Sequence, residues 1–467
     1  MSKESCVNKM QEAGVAGRAI AGFARAYEIW QSDASGLIAE SDIDPVQELP
    51  GYQSVISQTP AADANLIQRT AVLKLNGGLG TGMGLDQAKS LLEVRDGLTF
   101  LDLIVRQVLA FESVSRPWLL LMNSFSTSEG TRRFLKEYPE LGEFEDLEIL
   151  QNKIPKIEAL TGDPVQYPAD PELEWCPPGH GDLYPALVGT GWIDRLQKEG
   201  CEVLFVSNSD NLGATLDPRL LRWFHESGQP FMMEVTRRTQ ADRKGGHVAI
   251  RRDDGQLILR ESAQCAEADL ESFQDIERHR YFNTNNLWLR IDTLKAALDE
   301  EETGLPLPVI CNKKTVNPRD KSSSEVIQFE TAMGAAIECF PGSGAVEVPR
   351  SRFAPVKTTS DLFALRSDAY EILPDGRVRL MASRQGLPPT VELDRAHYQR
   401  VDQLDRLIPN GAPSLMTCQR VEVLGLWQFE AGVVCTGSVC FENRSAETKI
   451  VSAGHYSDRH VIIPEAE

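Results

Sequence analysis

A glycine-rich loop followed by a lysine is the first feature of this 467-residue sequence that suits phosphate binding. The stretch "KLNGGLGTGMGLDQAKS" spans residues 74–90 and carries five glycines between positions 77 and 84. Closely spaced glycines let backbone N–H groups approach an anion, and Lys89 adds a positive charge. The loop is not a P-loop, because Ala88 precedes the lysine, and no third glycine completes a dinucleotide fingerprint. A flexible turn with a solvated lysine is the alternative interpretation.

A second polar loop, "FVSNSDNLGATLD" (residues 205–217), follows an apolar run that is typical of a buried strand. Asp210 lies at its centre, between Asn208 and Asn211. Mg²⁺ is commonly held by one or two carboxylates together with substrate phosphates, so a carboxylate at this position predicts a metal ligand. A turn built by Asp and Asn side chains is the alternative.

Three further stretches combine polar side chains with restricted backbone. "WCPPGHGDLYPAL" (175–187) sets His180 between glycines, either against a ligand or in a surface loop that caps a helix. "FNTNNLWL" (282–289) offers amides that suit sugar hydroxyls, or else a strand-entry turn. "RFAPVKTTSDLFAL" (352–365) offers Lys357 beside the N-cap of a predicted helix.

The residues that are absent narrow the chemistry. The chain has seven histidines, no GxSxG elbow and no HExxH pair, so catalysis by several histidines is disfavoured. A reaction whose nucleophile is already an anion needs alignment and charge neutralisation rather than a base. Attack of a sugar phosphate on the α-phosphorus of a nucleotide is such a reaction.

Composition excludes some classes of partner. The net charge is −20 with no basic tail, which disfavours nucleic-acid binding. No apolar run approaches the length of a membrane span, and the N-terminal residues "MSKESCVNKM" do not resemble a signal peptide. The nine cysteines are scattered and form no CxxC pair. We therefore expect a cytoplasmic protein with reduced thiols and no membrane partner.

The elements that must position these loops are those of an α/β fold. A helical pattern comes first, with Ile20, Phe23, Ala24, Tyr27 and Trp30 close to one face. From about residue 65 to 385, short apolar runs alternate with helical segments, which predicts a mostly parallel sheet. Ligands of such sheets bind beyond the carboxyl ends of strands, so the loops after positions 75 and 206 are the favoured sites.

The C-terminal segment has a different pattern. Apolar and small residues alternate over positions 421–441, which predicts strands. Gly425, Ala431 and Gly437 recur every six positions, which is typical of a hexapeptide β-helix with tight corners. An antiparallel meander with turns at the glycines is the alternative.

Taken together, these motifs resemble those of the UDP-glucose pyrophosphorylase (UTP–glucose-1-phosphate uridylyltransferase) family, in its eukaryotic-like form. The glycine loop, "AKSLLEVRDGLTFLDL", "PPGHGDLY", "FVSNSDNLGATLD", "FNTNNLW", "VIQFETAMGAAI" and "RFAPVKTTSDL" occur in the order of that family. The resemblance implies a Rossmann-like GT-A nucleotidyltransferase domain (63–385) with a mostly parallel mixed sheet. An N-terminal helical segment (1–62) would pack on this domain, and a left-handed β-helix (386–467) would follow it. The resemblance also implies a reversible, Mg²⁺-dependent reaction in which UTP and glucose 1-phosphate give UDP-glucose and pyrophosphate.

The resemblance further implies roles for individual residues. Lys89 and Lys357 would be catalytic, and Asp210 would bind both Mg²⁺ and the nucleotide. His180 and Asn285 would hold the sugar phosphate. The other expected nucleotide-binding residues are Leu75, Asn76, Gly77, Gly78, Gln151, Gly179, Asn208 and Ser209.

The sequence departs from the family pattern at three places and leaves alternatives open. Ala88 replaces a common proline, Lys153 and Lys156 lie where arginines are usual, and Ser209 lies beside the predicted metal ligand. A broad-specificity UDP-sugar pyrophosphorylase is the nearest alternative. A GT-A glycosyltransferase using a UDP-sugar is a second, although "SNSDN" carries one aspartate rather than a DxD pair. Self-association through the predicted β-helix stays open.

Overall fold

The computed structural model describes residues 2–32, 36–301, 303–318 and 320–465. None of the helices within these ranges combines the length and the apolar composition that a membrane span requires. The α-helices are α1 (Ser2–Glu12), α2 (Gly17–Gln31), α3 (Tyr52–Gln58), α4 (Ala64–Gln68), α5 (Phe100–Leu109), α6 (Ser128–Leu135), α7 (Leu183–Gly189), α8 (Trp192–Lys198), α9 (Pro218–Ser227), α10 (Leu270–Gln274), α11 (Ile291–Glu300), α12 (Thr359–Arg366), α13 (Arg395–Tyr398) and α14 (Val401–Leu407).

The strands fall into a large central sheet, several small sheets and a C-terminal group. They are β1 (Ile43–Pro45), β2 (Thr70–Leu75), β3 (Glu93–Arg95), β4 (Leu98–Thr99), β5 (Trp118–Asn123), β6 (Glu148–Leu150), β7 (Ile154–Pro155), β8 (Ile157–Glu158), β9 (Trp175–Cys176), β10 (Val203–Asn208), β11 (Phe231–Arg237), β12 (His247–Arg251), β13 (Leu257–Arg260), β14 (Tyr281–Arg290), β15 (Val309–Thr315), β16 (Glu325–Thr331), β17 (Gly344–Glu347), β18 (Tyr370–Ile372), β19 (Val378–Leu380), β20 (Thr390–Leu393), β21 (Ser414–Leu424), β22 (Trp427–Phe429), β23 (Val433–Asn443), β24 (Lys449–Val451), β25 (Gly454–Ser457) and β26 (His460–Ile463).

The central sheet is mixed, as the family resemblance implied, but the expectation that it is mostly parallel is wrong. Strands β10, β2, β5 and β6 are parallel neighbours in that order. β14, however, runs antiparallel to both β10 and β11, and β12 runs antiparallel to β1 and β13. Between β11 and β14 the chain forms strands and short helices but no long crossover helix. Parallel neighbours need such a crossover, so β14 runs antiparallel to β11. The α/β class is confirmed.

The N-terminal helices pack on one side of this domain. Phe23 and Tyr27 of α2 are buried against Phe329 of β16, and Cys6 and Met10 of α1 join the same cluster. The predicted apolar face of α2 is therefore the face that is buried. Through β16, these helices support one wall of the large cleft described below.

The C-terminal strands pair in parallel, so the antiparallel meander is wrong. β21 pairs in parallel with β20 and β23, and β23 pairs in parallel with β25 and β26. β22 and β24 form a second parallel pair. Inward residues such as Val423, Phe429 and Phe441 are buried, and their core is continuous with Phe100 of α5 and Phe363 of α12. Gly425 has a φ of 75°, and a Cβ there would overlap the carbonyl oxygen of Asn443, which explains a glycine at this corner.

Candidate active site

A cleft of about 910 Å³ opens at the carboxyl ends of β2 and β10. These two strands are parallel neighbours, with Leu75 opposite Asn208, so the loops that follow them begin side by side. The glycine loop forms one part of the cleft wall and the loop containing Asp210 forms another. The position agrees with the rule that ligands of α/β sheets bind beyond the carboxyl ends of strands.

Two lysines meet one carboxylate oxygen in this cleft. The Nζ atoms of Lys89 and Lys357 lie 2.8 and 2.6 Å from Oδ2 of Asp210. Lys89 and Asp210 are nearly buried, whereas the Lys357 side chain is 57% exposed. Burial raises the pKa of Asp210, but the two ammonium groups outweigh burial and hold the net pKa below its ordinary value. The trio therefore carries one net positive charge when Asp210 is ionised.

Backbone contacts bring these three residues together. Lys89 N donates to the carbonyl oxygen of Gly78, which folds the glycine loop back on itself. Lys89 Nζ also donates to the carbonyl oxygen of Val356. Val356 N donates to the carbonyl oxygen of Asp210, which joins the segment before Lys357 to the Asp210 loop. Residues far apart in sequence thus form one cation-rich corner.

The second oxygen of Asp210 fits a metal ligand. Oδ1 of Asp210 is buried and has no hydrogen-bond partner, which is unusual for a carboxylate oxygen. Within the described ranges, no group of three or more His, Cys, Asp or Glu side chains is arranged to hold a metal. A cation here would therefore take one protein carboxylate and draw its other ligands from phosphates and water, which is the usual arrangement for Mg²⁺.

His180 is held as a neutral hydrogen-bond donor. Met333 N donates to Nδ1 of His180 over 3.0 Å, so Nδ1 is an acceptor and the ring proton resides on Nε2. Burial, helped by the charge of Lys357 and opposed by that of Glu330, lowers the pKa of His180 to about 4. The imidazole is therefore uncharged at neutral pH and lines the cleft.

Gln151 is positioned between two glycines of the cleft. Its Nε2 atom donates to the carbonyl oxygen of Gly179 over 2.8 Å. A Cβ on Gly77 would lie 2.8 Å from Oε1 of Gln151, and a Cβ on Gly179 would lie 2.6 Å from the carbonyl oxygen of Thr331. Gly179 also has a φ of 80°, so this position requires glycine for both its backbone and its space. The result is a fixed amide facing a narrow, glycine-lined part of the cleft.

The structure separates the predicted site residues into two groups. Asn76 is buried, and its side-chain amide donates to Asn123 Oδ1 and Thr131 Oγ1, away from the cleft lining. Asn285 lies on β14 with a φ of 59° and is also absent from the lining. The predicted residues that do line the cleft are Leu75, Gly77, Gly78, Lys89, Gln151, Gly179, His180, Asn208, Ser209, Asp210 and Lys357.

Sequence reasoning missed the contribution of the β15–β16 hairpin. Lys314 and Lys321 line the cleft, and Lys314 Nζ lies 3.1 Å from Glu330 Oε1. The lysine-containing run "CNKKTVNPRDK" in an acidic chain was the available signal. Lys156 also lines the cleft but is buried, and its Nζ donates to the carbonyl oxygen of Val316 over 2.9 Å.

Comparison with known proteins agrees with this geometry. The model of the UTP–glucose-1-phosphate uridylyltransferase family matches residues 20–436. The chain belongs to this family. A probable UTP–glucose-1-phosphate uridylyltransferase of Schizosaccharomyces pombe is 39% identical to this uridylyltransferase-family chain over 418 residues, which are 88% of the chain and 80% of the relative. The corresponding enzyme of Saccharomyces cerevisiae is 41% identical over 378 residues, which are 79% and 73% of the two chains.

The similarity to solved structures covers nearly the whole of this chain. The UDP-glucose phosphorylase of Trypanosoma brucei is 46% identical, with a TM-score of 0.92 over 99% of this chain and 100% of the other. A mutant UDP-glucose pyrophosphorylase of Leishmania major in complex with UDP-glucose is 44% identical, with a TM-score of 0.92 over 99% of both chains. The similarity therefore includes the elements that carry the cleft.

Proposed function

We propose that this chain transfers the uridylyl group of UTP to glucose 1-phosphate, releasing pyrophosphate in a reversible reaction. The observation that carries the proposal is the convergence of Lys89 and Lys357 on Asp210 beside a glycine loop. Two cations and a free carboxylate oxygen suit a reaction that gathers several phosphate charges at one point. The named relatives and the Leishmania complex with UDP-glucose support the same substrates.

The reaction is an in-line displacement that needs no general base. A phosphate oxygen of glucose 1-phosphate forms a bond to the α-phosphorus of UTP, and the bond to the leaving pyrophosphate breaks. Lys89 and Lys357 stabilise the negative charge that develops around the α-phosphorus. The Nε2–H group of neutral His180 donates a hydrogen bond to the sugar phosphate, which orients the nucleophile without a proton transfer.

The remaining cleft residues bind the nucleotide. We assign uracil recognition to Gln151 and the backbone of Gly179, because the amide can pair with the donor and acceptor edge of the base. The backbone from Leu75 to Gly78, including the peptide group of Asn76, would contact the nucleotide, with Asn208 and Ser209 beside it. Asn285 stays a sugar-phosphate-binding proposal from the family resemblance, and its left-handed backbone marks a strained position.

Mg²⁺ is the proposed cofactor, and Asp210 would hold it through Oδ1. The support is the buried, unpartnered state of this oxygen. When bound, the ion would neutralise phosphate charge and fix the geometry of the triphosphate. Binding at Oδ1 would displace no hydrogen bond, because Lys89 and Lys357 both pair with Oδ2. The charge of the ion would weaken the hold of the carboxylate on the two lysines, which would then be able to contact phosphates.

We also propose the domain division 1–62, 63–385 and 386–467, with the parallel C-terminal strands coiling as a left-handed β-helix. The parallel pairing of β21 with β23 supports a coil, and its hand comes from the family resemblance. All nine cysteines are free thiols, which supports the cytoplasm as the compartment. Self-association through the exposed end of the C-terminal coil is a further proposal, supported by the exposed Ile462 on β26.

Pyrophosphate release from UTP and Mg²⁺ with a panel of sugar 1-phosphates tests the function. The panel contains glucose, galactose, N-acetylglucosamine and glucuronic acid 1-phosphates. A strong preference for glucose 1-phosphate is expected, and comparable rates with several sugars would instead indicate the broad-specificity enzyme. If no sugar 1-phosphate gave pyrophosphate, the assignment would be overturned. A glycosyltransferase that uses a UDP-sugar would give this negative result.

A further inference from the structure

A buried polar cluster lies behind the loop that carries Asp210. Glu234 of β11 is fully buried and accepts hydrogen bonds through both of its carboxylate oxygens. Oε1 accepts from Trp288 Nε1 (3.0 Å) and Arg352 Nη2 (2.6 Å), and Oε2 accepts from Asn286 Nδ2 (2.9 Å) and Arg352 Nε (2.9 Å). This two-oxygen pairing holds the Arg352 guanidinium in one orientation.

Arg352 in turn fixes the loop that follows Asp210. Its Nη2 atom donates to the carbonyl oxygen of Thr215 over 3.0 Å, and its own carbonyl oxygen accepts from Asn211 Nδ2 and Asn286 Nδ2. The two segments approach so closely that a Cβ on Gly213 would overlap the carbonyl oxygen of Ser351.

Asn211 adds a side-chain link between the two catalytic segments, beside the backbone bond from Val356 N to the carbonyl oxygen of Asp210. The Oδ1 atom of Asn211 accepts from Ala354 N (3.0 Å), and its Nδ2 atom donates to Arg352 O (3.1 Å). The residue is 1% exposed and pairs with Pro355 in an isolated bridge. Asn211 follows Asp210 directly, and Ala354 precedes Lys357 by three positions, so this one side chain joins the segments that present the carboxylate and the second lysine.

We propose that Asn211, Arg352 and Glu234 are positioning residues that set where Lys357 meets Asp210. None of the three lines the cleft, so they act through the backbone of the segments 210–216 and 350–357. Lys357 itself is half-exposed and has a long flexible side chain, so its backbone anchor decides where its ammonium group can reach. The kinetic test of this inference rests on the proposed function. A second test, chemical labelling of Lys357 without substrate, rests on the geometry alone.

The primary test compares Asn211→Ala with a matched control, Gln107→Ala. Gln107 is a partly buried amide that also holds the Asp210 loop, because its Nε2 atom donates to the carbonyl oxygens of Leu212 and Gly376, but it makes no hydrogen bond to residues 350–357. We expect Asn211→Ala to lower kcat about 100-fold with KM for UTP within about threefold, since a small misplacement of a catalytic group costs about that factor. Gln107→Ala should lose thermal stability but keep kcat within about threefold.

A substrate-free measurement separates this inference from the proposed function. Acetylation of Lys357 by trace acetic anhydride, quantified by mass spectrometry, reports its pairing with Asp210. Loss of that ion pair in Asn211→Ala should raise Lys357 labelling by about threefold, a modest factor because solvent reaches the pair through the half-exposed Lys357. Labelling of the exposed Lys244 is the internal reference.

The outcomes are distinct. Equal kcat losses in the two alanine variants, or unchanged Lys357 labelling in folded Asn211→Ala, would overturn the inference. If Asn211→Ala does not fold, Arg352→Lys takes its place, because lysine cannot make the two-oxygen contact with Glu234 and also reach Thr215. Inactive wild-type protein with the expected labelling shift would support the inference and overturn the proposed function.

Discussion

Replacing Asp210 with asparagine should strengthen metal-free nucleotide binding while it removes Mg²⁺-dependent turnover. In the free site, two ammonium groups share Oδ2 of one carboxylate, so the local charge is +1. Asparagine has nearly the same shape and leaves the local charge at +2. An amide oxygen can still accept hydrogen bonds from Lys89 and Lys357, so the corner should keep its geometry.

The magnitude follows from the distances in the corner. A phosphate that replaces the carboxylate at the lysines would lie about 5 Å from Asp210, where two unit charges interact by about 3 kcal/mol at an effective dielectric constant of about 20. Solvent reaches this corner through the half-exposed Lys357, which reduces the effect to about 1–2 kcal/mol. Metal-free UTP should therefore bind Asp210→Asn about 5–30-fold more tightly than it binds the wild-type protein.

Turnover should move in the opposite direction. Loss of the carboxylate ligand should reduce Mg²⁺-supported pyrophosphate release by at least about 100-fold, because metal stabilisation of the transition state is worth several kcal/mol. Isothermal titration calorimetry of UTP in EDTA gives the first quantity, and a Mg²⁺ titration of the rate gives the second. Unchanged or weaker metal-free binding, together with normal Mg²⁺ dependence, would refute the assigned role of Asp210.

Three other predictions test separate parts of the structure. His180→Gln should keep activity within about tenfold, because the Nε2–H₂ group of glutamine can replace the imidazole donor. His180→Leu should lose activity by at least about 100-fold. Equal losses in the two variants, measured by steady-state kinetics, would contradict the donor role. Gly179→Ala should raise KM for UTP at least about tenfold, since the alanine Cβ would collide with Thr331 and alanine is strained at a φ of 80°. An unchanged KM would contradict the need for glycine beside the nucleotide. Burial lowers the pKa of Lys74 from 10.5 to about 7. Between these two pH values the unfolded chain therefore binds more protons than the folded chain. The free energy of unfolding of the wild-type protein should rise, relative to that of Lys74→Met, by about 1.4 kcal/mol per pH unit. Urea denaturation at pH 7, 8 and 9 measures this, and a constant difference in unfolding free energy between the two proteins would exclude the shift.

Much of the site was predictable because its motifs are local. The glycines around Lys89, the loop of Asp210 and the stretch before Lys357 each follow from residues adjacent in sequence. Their meeting in one cleft follows from the parallel pairing of β2 and β10, which places both loops at the same edge. The family resemblance supplied the remaining assignments, including Gln151 and the sugar-phosphate role of His180.

The parts that were missed depend on contacts between distant segments. Alternation of apolar residues indicates a strand but not its direction, so the antiparallel β14 was not foreseen. The side chain of Asn76 is drawn away from the cleft by Asn123 and Thr131 on another strand and helix. Lys314 reaches the cleft only because the β15–β16 hairpin folds over it. Only the last arrangement had a local signal, the lysine-containing run at positions 311–321, and that run does not show where its lysines point.

The most direct test of the account is the rate of UDP-glucose formation by Lys89→Ala under saturating UTP, glucose 1-phosphate and Mg²⁺. Replacement of the exposed Lys244 by alanine is the matched control for loss of one lysine charge. We expect a fall of at least about 1,000-fold for Lys89→Ala, a melting temperature unchanged within a few degrees, and a normal rate for the control. A Lys89→Ala protein that is folded and forms UDP-glucose at a rate near that of the wild-type protein would contradict the account.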